Sequence, residues 1–263
     1  MPVQTNVPLQ VLDQPRFASI SYEVLKHVFA IHNEMGRFFD ESVYRKGLKN
    51  RLGVRAEIEV CIHVTFDGFC KPYRIDLLVD RGALFELKKV RHLHEEHRSQ
   101  LINYLMLTGL QHGKLINCRP EKIEHQFVNC LVKREDRQAF GVFAERWDAT
   151  VPGCSRLQEL LVAVLRDWGT GLDLQLYEEA VTHFFGGAEC VEREVEVSLE
   201  GCRLGRQTVR LINSTTALKL TSLHRDLPSF ETHAKRFLEH TGLESLAWVN
   251  IGLWEVTFVL IRR

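Results

Sequence analysis

Two acidic residues and a lysine lie close together in the first half of the chain. Asp76 stands in an apolar run, and Glu86 and Lys88 follow it two residues apart from each other. Carboxylate oxygens are the ligands that Mg²⁺ or Mn²⁺ prefers, with water and substrate phosphate completing the shell. A neighbouring lysine could orient or deprotonate the attacking water, or stabilise charge on the phosphate. The three residue types therefore predict metal-assisted phosphoryl chemistry.

A hairpin around Gly82 must bring these groups together. A three-residue loop at 81–83 would place Asp76 opposite Lys88, and all three side chains would project from one face because strand side chains alternate. A two-residue loop would instead pair Asp76 with Leu87 and separate the set. The predicted site therefore depends on the register of this hairpin.

Helical side chains could complete the site. Gln100 and Tyr104 are four residues apart, so they share one face of a helix, where they could hold a phosphate or the water. They could equally cap the sheet by hydrogen bonds. His92, His94 and His97 form an HxHxxH run, which without a supporting cysteine or aspartate is more typical of a surface than of a zinc site.

The pattern of apolar residues predicts an α/β sandwich in this half of the chain. Asp67-Gly68 is typical of a hairpin turn between the first two strands. The predicted helices and strands are helices at 23–35, 42–52 and 94–108 and strands at 57–66, 73–79, 84–90, 114–117 and 122–131.

The second half repeats the first at a constant spacing. Tyr44 and Tyr177 are 177 − 44 = 133 residues apart, and the same offset aligns many other identical residues without a gap. We therefore expect two tandem α/β domains, at 17–130 and 150–263. The charged segment 131–149 also carries aromatic residues, and we expect a short docking helix there. Further identities at this offset are Ala30/Ala163, Gly36/Gly169, Asp40/Asp173, Gly68/Gly201, Leu78/Leu211, Leu105/Leu238 and Asn117/Asn250.

The second copy lacks every polar candidate of the first. At the same offset the candidate residues are replaced as follows: Glu41 by Leu174, Asp76 by Val209, Glu86 by Lys219, Lys88 by Thr221, Gln100 by His233 and Tyr104 by Phe237. Side chains that merely held the fold would not all be lost together. Tyr44, which is retained, is predicted to be a packing residue, and the second copy is predicted to be inactive.

These residues also resemble a known family. Asp76 with Glu86-Leu87-Lys88 resembles the motif of the PD-(D/E)xK (restriction-endonuclease-like) nuclease superfamily, and the segment from Gln100 to Tyr104 resembles its QxxxY element. The stretches 35–44, 74–79 and 97–105 resemble the bacterial GxxExxY family, over about residues 20–130. The chain departs from that family at Phe38, where a glycine is expected.

The resemblance implies two PD-(D/E)xK-like domains, each a small mixed sheet flanked by helices. It implies Asp76, Glu86, Lys88, Gln100 and Tyr104 as catalytic residues. It implies a metal site at Glu41, Asp76 and Glu86, together with Leu87, which stands between Glu86 and Lys88. His97 is a further candidate, because the family tends to have histidine there. The implied cofactor is Mg²⁺ or Mn²⁺.

Composition limits the other possibilities. Lysine plus arginine equals aspartate plus glutamate, 34 against 34, which argues against a protein that coats DNA but not against a local basic groove. Seven scattered cysteines without a CxxC pair argue against a zinc ribbon and favour idle thiols in a reducing cytoplasm. No stretch is apolar for long enough to cross a bilayer, so we expect no membrane partner.

The leading hypothesis is a metal-dependent nuclease that hydrolyses DNA, as an exonuclease or a structure-selective enzyme. The second domain would then act as a pseudo-dimer partner that guides DNA or covers a sheet edge. The alternatives are a non-catalytic nucleic-acid-binding or scaffold protein on a nuclease fold, and an RNA-processing nuclease, since phosphate chemistry does not distinguish the sugars.

Overall fold

Two units make up the chain in the computed structural model, which describes residues 3–263. The boundary between the units falls between Arg134 and Glu135. Both units are mixed α/β structures with their own sheets. No helix within the described residues is long and apolar enough to cross a membrane.

The first unit is built on one six-stranded sheet with the order β1-β2-β3-β4-β5-β6, in which only the β4–β5 pair is parallel. Its elements are β1 (Val3–Thr5), α1 (Gln14–Met35), α2 (Glu41–Leu52), β2 (Ala56–Phe66), β3 (Phe69–Val79), β4 (Ala83–Lys88), α3 (Glu95–Thr108), β5 (His112–Asn117) and β6 (Glu124–Asn129).

Strand β4 contributes to an apolar core on each face of this sheet. Phe85 and Leu87 join the core that contains residues of α1 and α2, whereas Leu84 joins the core that contains Leu101 of α3. This alternation is the period of a strand that is covered on both faces. Glu86, next to Leu87 and Phe85, therefore projects toward the α3 side.

The hairpin between β3 and β4 differs from the predicted register. Its loop is Asp80-Arg81-Gly82, and Val79 pairs with Ala83, so the register predicted from a loop at 81–83 was wrong by two residues. Asp80 and Arg81 have positive φ angles of 47° and 58°. Gly82 lies where a Cβ atom would come within 2.1 Å of the Gln10 carbonyl oxygen, which excludes any larger residue. A shift of two residues preserves the face on which each side chain lies.

Helix α1 begins nine residues before the predicted start at Glu23. The Asp13 side chain accepts a hydrogen bond from the Arg16 backbone N–H at 2.9 Å, and Pro15 occupies the first turn. Proline is well suited to that turn because its missing N–H would have no intrahelical partner. Asp13 and Pro15 therefore fix the start of α1.

The second unit has a four-stranded sheet with the order β10-β11-β12-β7 and a separate β8–β9 hairpin. The segment expected to be a docking helix contains only the five-residue α4, followed by β7, which pairs with β12. The elements are α4 (Arg134–Gln138), β7 (Gly141–Arg146), α5 (Cys154–Trp168), α6 (Leu174–Phe184), α7 (Ala188–Val191), β8 (Glu192–Leu199), β9 (Cys202–Arg210), β10 (Thr216–Thr221), α8 (Leu227–Thr241), β11 (Ser245–Ile251) and β12 (Glu255–Arg262).

Elements of the two units correspond at the offset of 133 residues. Strand β10 has the bounds of β4 after subtraction of 133, and the parallel pair Ala217↔Leu246 matches Leu84↔Gly113. The β3–β4 ladder of the first unit contains the pair Leu78↔Leu84. At the equivalent positions the second unit has the isolated bridge Leu211↔Ala217, in the same register.

Two hydrogen-bonded side chains recur at the same offset. The Tyr44 hydroxyl donates to the Gly36 carbonyl at 2.7 Å, and the Tyr177 hydroxyl donates to the Gly169 carbonyl at 2.6 Å. Both tyrosines are fully buried. The Asn117 amide bonds both backbone groups of Val90, and the Asn250 amide does the same to Leu223.

These asparagines give a stability prediction. Asn117→Ala should lower the free energy of unfolding by about 2 kcal/mol, because it leaves a buried backbone donor and acceptor without partners. Asn250→Ala should cost a similar amount in the second unit. Thermal and urea unfolding of both variants tests this, with the exposed Asn50→Ala as control. A loss no larger than that of the control would contradict the prediction.

Candidate functional site

Glu86 is the most buried acid of the candidate site. It is 3% exposed, and its Oε1 accepts a hydrogen bond from Lys88 Nζ at 2.9 Å. Its Oε2 is buried and has no hydrogen-bond partner among the described residues. Burial, followed by the nearby charge of Asp76, raises the pKa of Glu86 well above its ordinary value. A buried carboxylate with a free oxygen is costly unless a cation completes its environment.

Asp76 lies beside this carboxylate. Its Oδ2 accepts a hydrogen bond from the backbone N–H of Leu87 at 2.9 Å, and its Oδ1 accepts one from the Arg45 guanidinium. The β2–β3 ladder is interrupted at this point, because Glu59 lies opposite Asp76 and has a left-handed φ of 53°. Leu87 thus contributes a backbone donor to the site, while its side chain is buried in the opposite core.

Lys88 begins a chain of hydrogen bonds that ends on α3. Its Nζ also donates to Gln100 Oε1 at 2.7 Å, and Gln100 Nε2 donates to the Tyr104 hydroxyl at 3.1 Å. Burial and the charge of Glu86 raise the pKa of Tyr104 to about 12, so the phenol stays protonated. Gln100, predicted to hold phosphate or water, therefore holds the ammonium of Lys88 in this structure, and Tyr104 in turn holds the Gln100 amide.

Glu41 is attached to the end of β4. It lies in the first turn of α2, and its Oε1 accepts a hydrogen bond from the backbone N–H of Lys89 at 2.6 Å. Its charge contributes to the raised pKa values of Glu86 and Cys118, although burial is the larger cause for both. Glu41 is thus an electrostatic neighbour of the site and ties α2 to the end of β4.

The histidine run has a structural role at the start of α3. The Nδ1 atom of His97 accepts a hydrogen bond from the backbone N–H of His94 at 3.0 Å, and the two rings stack. His97 therefore caps the helix, and among the described residues the hydrogen bonds of Lys88 go to Glu86 and Gln100 instead. Among residues 3–263, no three histidine, cysteine, aspartate or glutamate side chains are grouped as a metal site.

The donors present still fit a magnesium-like ion. Mg²⁺ keeps several waters and is usually held by one or two carboxylates plus substrate phosphate, so three protein ligands are not required. Asp76 and Glu86 are close enough for the charge of one to raise the pKa of the other. The free Oε2 of Glu86 offers an oxygen ligand for such an ion.

Arg45 is a site residue that the sequence reasoning missed. It pairs with Asp76 and lies 3.4 Å from Glu59 through its second terminal nitrogen. Arg45 follows Glu41 by four residues in α2, and this helical spacing is the signal that could have identified it. In the free protein its guanidinium supplies the positive charge that Asp76 requires.

The corresponding region of the second unit is a cavity of about 500 Å³ without the acids of the first. Lys219 and Val209 line it at the positions of Glu86 and Asp76, and His233 and Phe237 take those of Gln100 and Tyr104. Two other acids, Glu178 and Glu192, line this cavity, and both pair with Arg210. The arrangement of Asp76, Glu86 and Lys88 is therefore not repeated there.

Comparison with known proteins finds a family model that matches the first unit. Residues 18–130 match the family model of the PD-(D/E)XK nuclease superfamily, a match that lies wholly within the first unit. A solved structure described as the crystal structure of SSO0001 is 23% identical, with a TM-score of 0.29, and the match covers 45% of this chain and 61% of that chain. No curated protein matches the chain.

Proposed function

We propose that the first unit is a Mg²⁺- or Mn²⁺-dependent phosphodiesterase that hydrolyses DNA, as an exonuclease or a structure-selective nuclease. The observation that carries the proposal is the buried Glu86 carboxylate, which has one oxygen on Lys88 and the other without a partner. The match of residues 18–130 to the nuclease superfamily supports the same reaction class.

The residues of the site would have different roles. Asp76 and Glu86, with the backbone of Leu87, would hold the metal, which when bound supplies Lewis-acid activation of water and phosphate. Lys88 would stabilise charge on the phosphate or take the proton of the attacking water. Gln100 and Tyr104 are positioning residues, because Gln100 accepts a hydrogen bond from Lys88 and donates one to the Tyr104 hydroxyl. Arg45 would release one oxygen of Asp76 when the metal binds.

We also propose that the second unit is a degenerate tandem copy that serves as a pseudo-dimer partner. The support is the shared offset of strands, of the buried tyrosines and of the asparagines described above, together with the loss of all the polar candidates. Such a copy would contribute to folding or strand binding and not to the chemical step.

The alternative function is a non-catalytic nucleic-acid-binding protein on the same scaffold. The observation that favours it is the contact between Arg45 and Asp76, which satisfies that carboxylate without a metal. The two candidates differ in turnover, so a cleavage assay separates them.

A metal screen on the full chain tests the proposal. We expect cleavage of labelled oligonucleotides with Mg²⁺ or Mn²⁺ and none with EDTA, and parallel DNA and RNA substrates identify the sugar. We also expect the thermal midpoint to rise with metal, since a ligand that binds only the folded state stabilises it. Stabilisation without cleavage of either polymer would favour the binding alternative. If metal produced neither stabilisation nor cleavage, both the metal site and the enzyme would be refuted.

A further inference from the structure

A basic hollow of about 560 Å³ lies on the first unit where β4 ends. Four of the residues that line it carry a fixed positive charge, and none is acidic. The whole chain has a formal net charge of zero, so this concentration of one sign is local. The residues that define the basic hollow are Arg37, Phe38, Lys89, Arg91, His92 and Arg119.

The charges of the hollow are largely available to a ligand. Arg37, Arg91 and Arg119 are exposed, and within residues 3–263 their side chains form no ion pair. Lys89 is the exception, because its Nζ lies 2.9 Å from Asp40 and donates to the Phe38 carbonyl at 2.8 Å. This contact ties the loop before α2 to the strand that carries Lys88.

Phe38 presents an aromatic ring to solvent at the hollow. Its side chain is 82% exposed, and the Arg37 guanidinium lies 5.8 Å from its ring centroid. Exposed single aromatics are common, but an aromatic among unpaired arginines has the composition of a surface that binds single strands. There, cations contact phosphates and bases stack on the ring. Bases inside a duplex are stacked on each other and cannot reach such a ring.

We infer that the basic hollow binds an unpaired strand of nucleic acid, with a base stacked on Phe38 and phosphates on Arg37, Arg91 and Arg119. The inference rests on the proposed function, because the unpaired strand is the substrate only if the first unit is a nuclease. Strand binding itself can be measured without cleavage. Lys89 links the two regions, since it follows Lys88 and its backbone N–H contacts Glu41.

The second unit supplies an internal comparison. At the offset of 133 residues, Arg37 and Phe38 become Thr170 and Gly171, and Arg119 becomes Gly252. Thr170 is fully buried, and its hydroxyl donates to the Leu253 carbonyl. The basic hollow is therefore absent from the copy that also lacks the catalytic carboxylates. The basic hollow occurs in the unit that carries the candidate site and not in the other unit, which fits a role in holding substrate.

Binding of labelled oligonucleotides in EDTA tests the inference without any cleavage. The full-length protein is titrated into single-stranded oligothymidylate, single-stranded oligouridylate and a blunt duplex, with anisotropy as the readout. Phe38→Ala should weaken binding to both single strands about tenfold, because stacking of a base on an aromatic ring contributes about 1–3 kcal/mol. Phe38→Trp should retain the binding. Tyr22→Ala, which removes another exposed aromatic from the first unit, is the matched control.

The arginines have a different signature. Arg119→Ala should weaken binding to all three probes. It should also reduce the magnitude of the slope of log affinity against log salt by about 1, which corresponds to the loss of one phosphate contact. The exposed Lys26→Ala should change neither quantity. If Phe38→Ala binds single strands as well as Tyr22→Ala does, or weakens single strands and duplex equally, the inference is wrong. Strand binding that depends on Phe38 in a protein that never cleaves would leave the inference standing and refute the proposed enzyme.

Discussion

Glu86→Gln should abolish most of the metal-dependent cleavage while leaving the fold intact. The substitution keeps the size of a side chain that is 3% exposed but removes the charge that a metal would need. A direct metal ligand contributes several kcal/mol of charge stabilisation, so the rate should fall by about 10³ or more. An uncharged amide also costs less to bury than a carboxylate, so the metal-free variant should unfold at the same temperature or higher.

Two measurements distinguish this expectation from a general loss of structure. Cleavage with Mn²⁺ should be lost in Glu86→Gln and retained in Glu57→Gln, whose carboxylate on β2 is 44% exposed. The rise in thermal midpoint with Mn²⁺ should disappear in Glu86→Gln alone. Undiminished cleavage by a clean preparation of Glu86→Gln would show that the metal is bound elsewhere or that the reaction proceeds by other chemistry.

The periodicity of apolar residues was enough to predict most elements of the first unit. The predicted helices at 42–52 and 94–108 each lie within one residue of α2 and α3. The turn at Asp67-Gly68 joins β2 to β3, as predicted, with positive φ at both residues. Local patterns sufficed here because amphipathic helices and turn residues carry their signal within a few positions.

The register of the β3–β4 hairpin could not be predicted from local patterns. The loop at Asp80-Arg81-Gly82 depends on the close approach of Gly82 to the Gln10 backbone, a contact across 72 residues of sequence (82 − 10 = 72). The prediction that Asp76, Glu86 and Lys88 share a face remained valid only because the error was an even number of residues. An error of one residue would have moved Asp76 to the opposite core.

The side-chain contacts within the site also could not be predicted from the sequence. Spacing placed Gln100 and Tyr104 on one helical face, but only the structure shows that Gln100 contacts Lys88 and that Tyr104 contacts Gln100. Strand β7 lies in a segment whose charged start suggested a helix, and its pairing with β12 joins residues more than a hundred positions apart. Long-range partners of this kind leave no periodic signal in the segment itself.

Lys88→Met should remove turnover while preserving the metal response, which separates the lysine from the carboxylates. Methionine keeps the unbranched apolar stem but has no ammonium to stabilise the phosphate or move a proton. A positioned proton-transfer group contributes about 10²–10⁴ to the rate, and a loss of that size is expected in kcat with little change in KM. The Mn²⁺-dependent rise in thermal midpoint should persist, because Asp76 and Glu86 remain.

The geometry around Lys88 also predicts that arginine cannot replace it. Nζ bridges Glu86 Oε1 at 2.9 Å and Gln100 Oε1 at 2.7 Å, and a planar guanidinium on a longer stem cannot occupy the same point. Lys88→Arg should therefore be defective as well, whereas the exposed Lys46→Met should cleave normally. Thr221→Lys, which restores the lysine in the second unit, should produce no new activity, because Val209 and Lys219 stand at the positions of Asp76 and Glu86 and the acids of that cavity, Glu178 and Glu192, pair with Arg210. Wild-type turnover by Lys88→Met would refute the role of Lys88. Loss of its metal response would mean that the lysine holds the site together and takes no part in the chemistry.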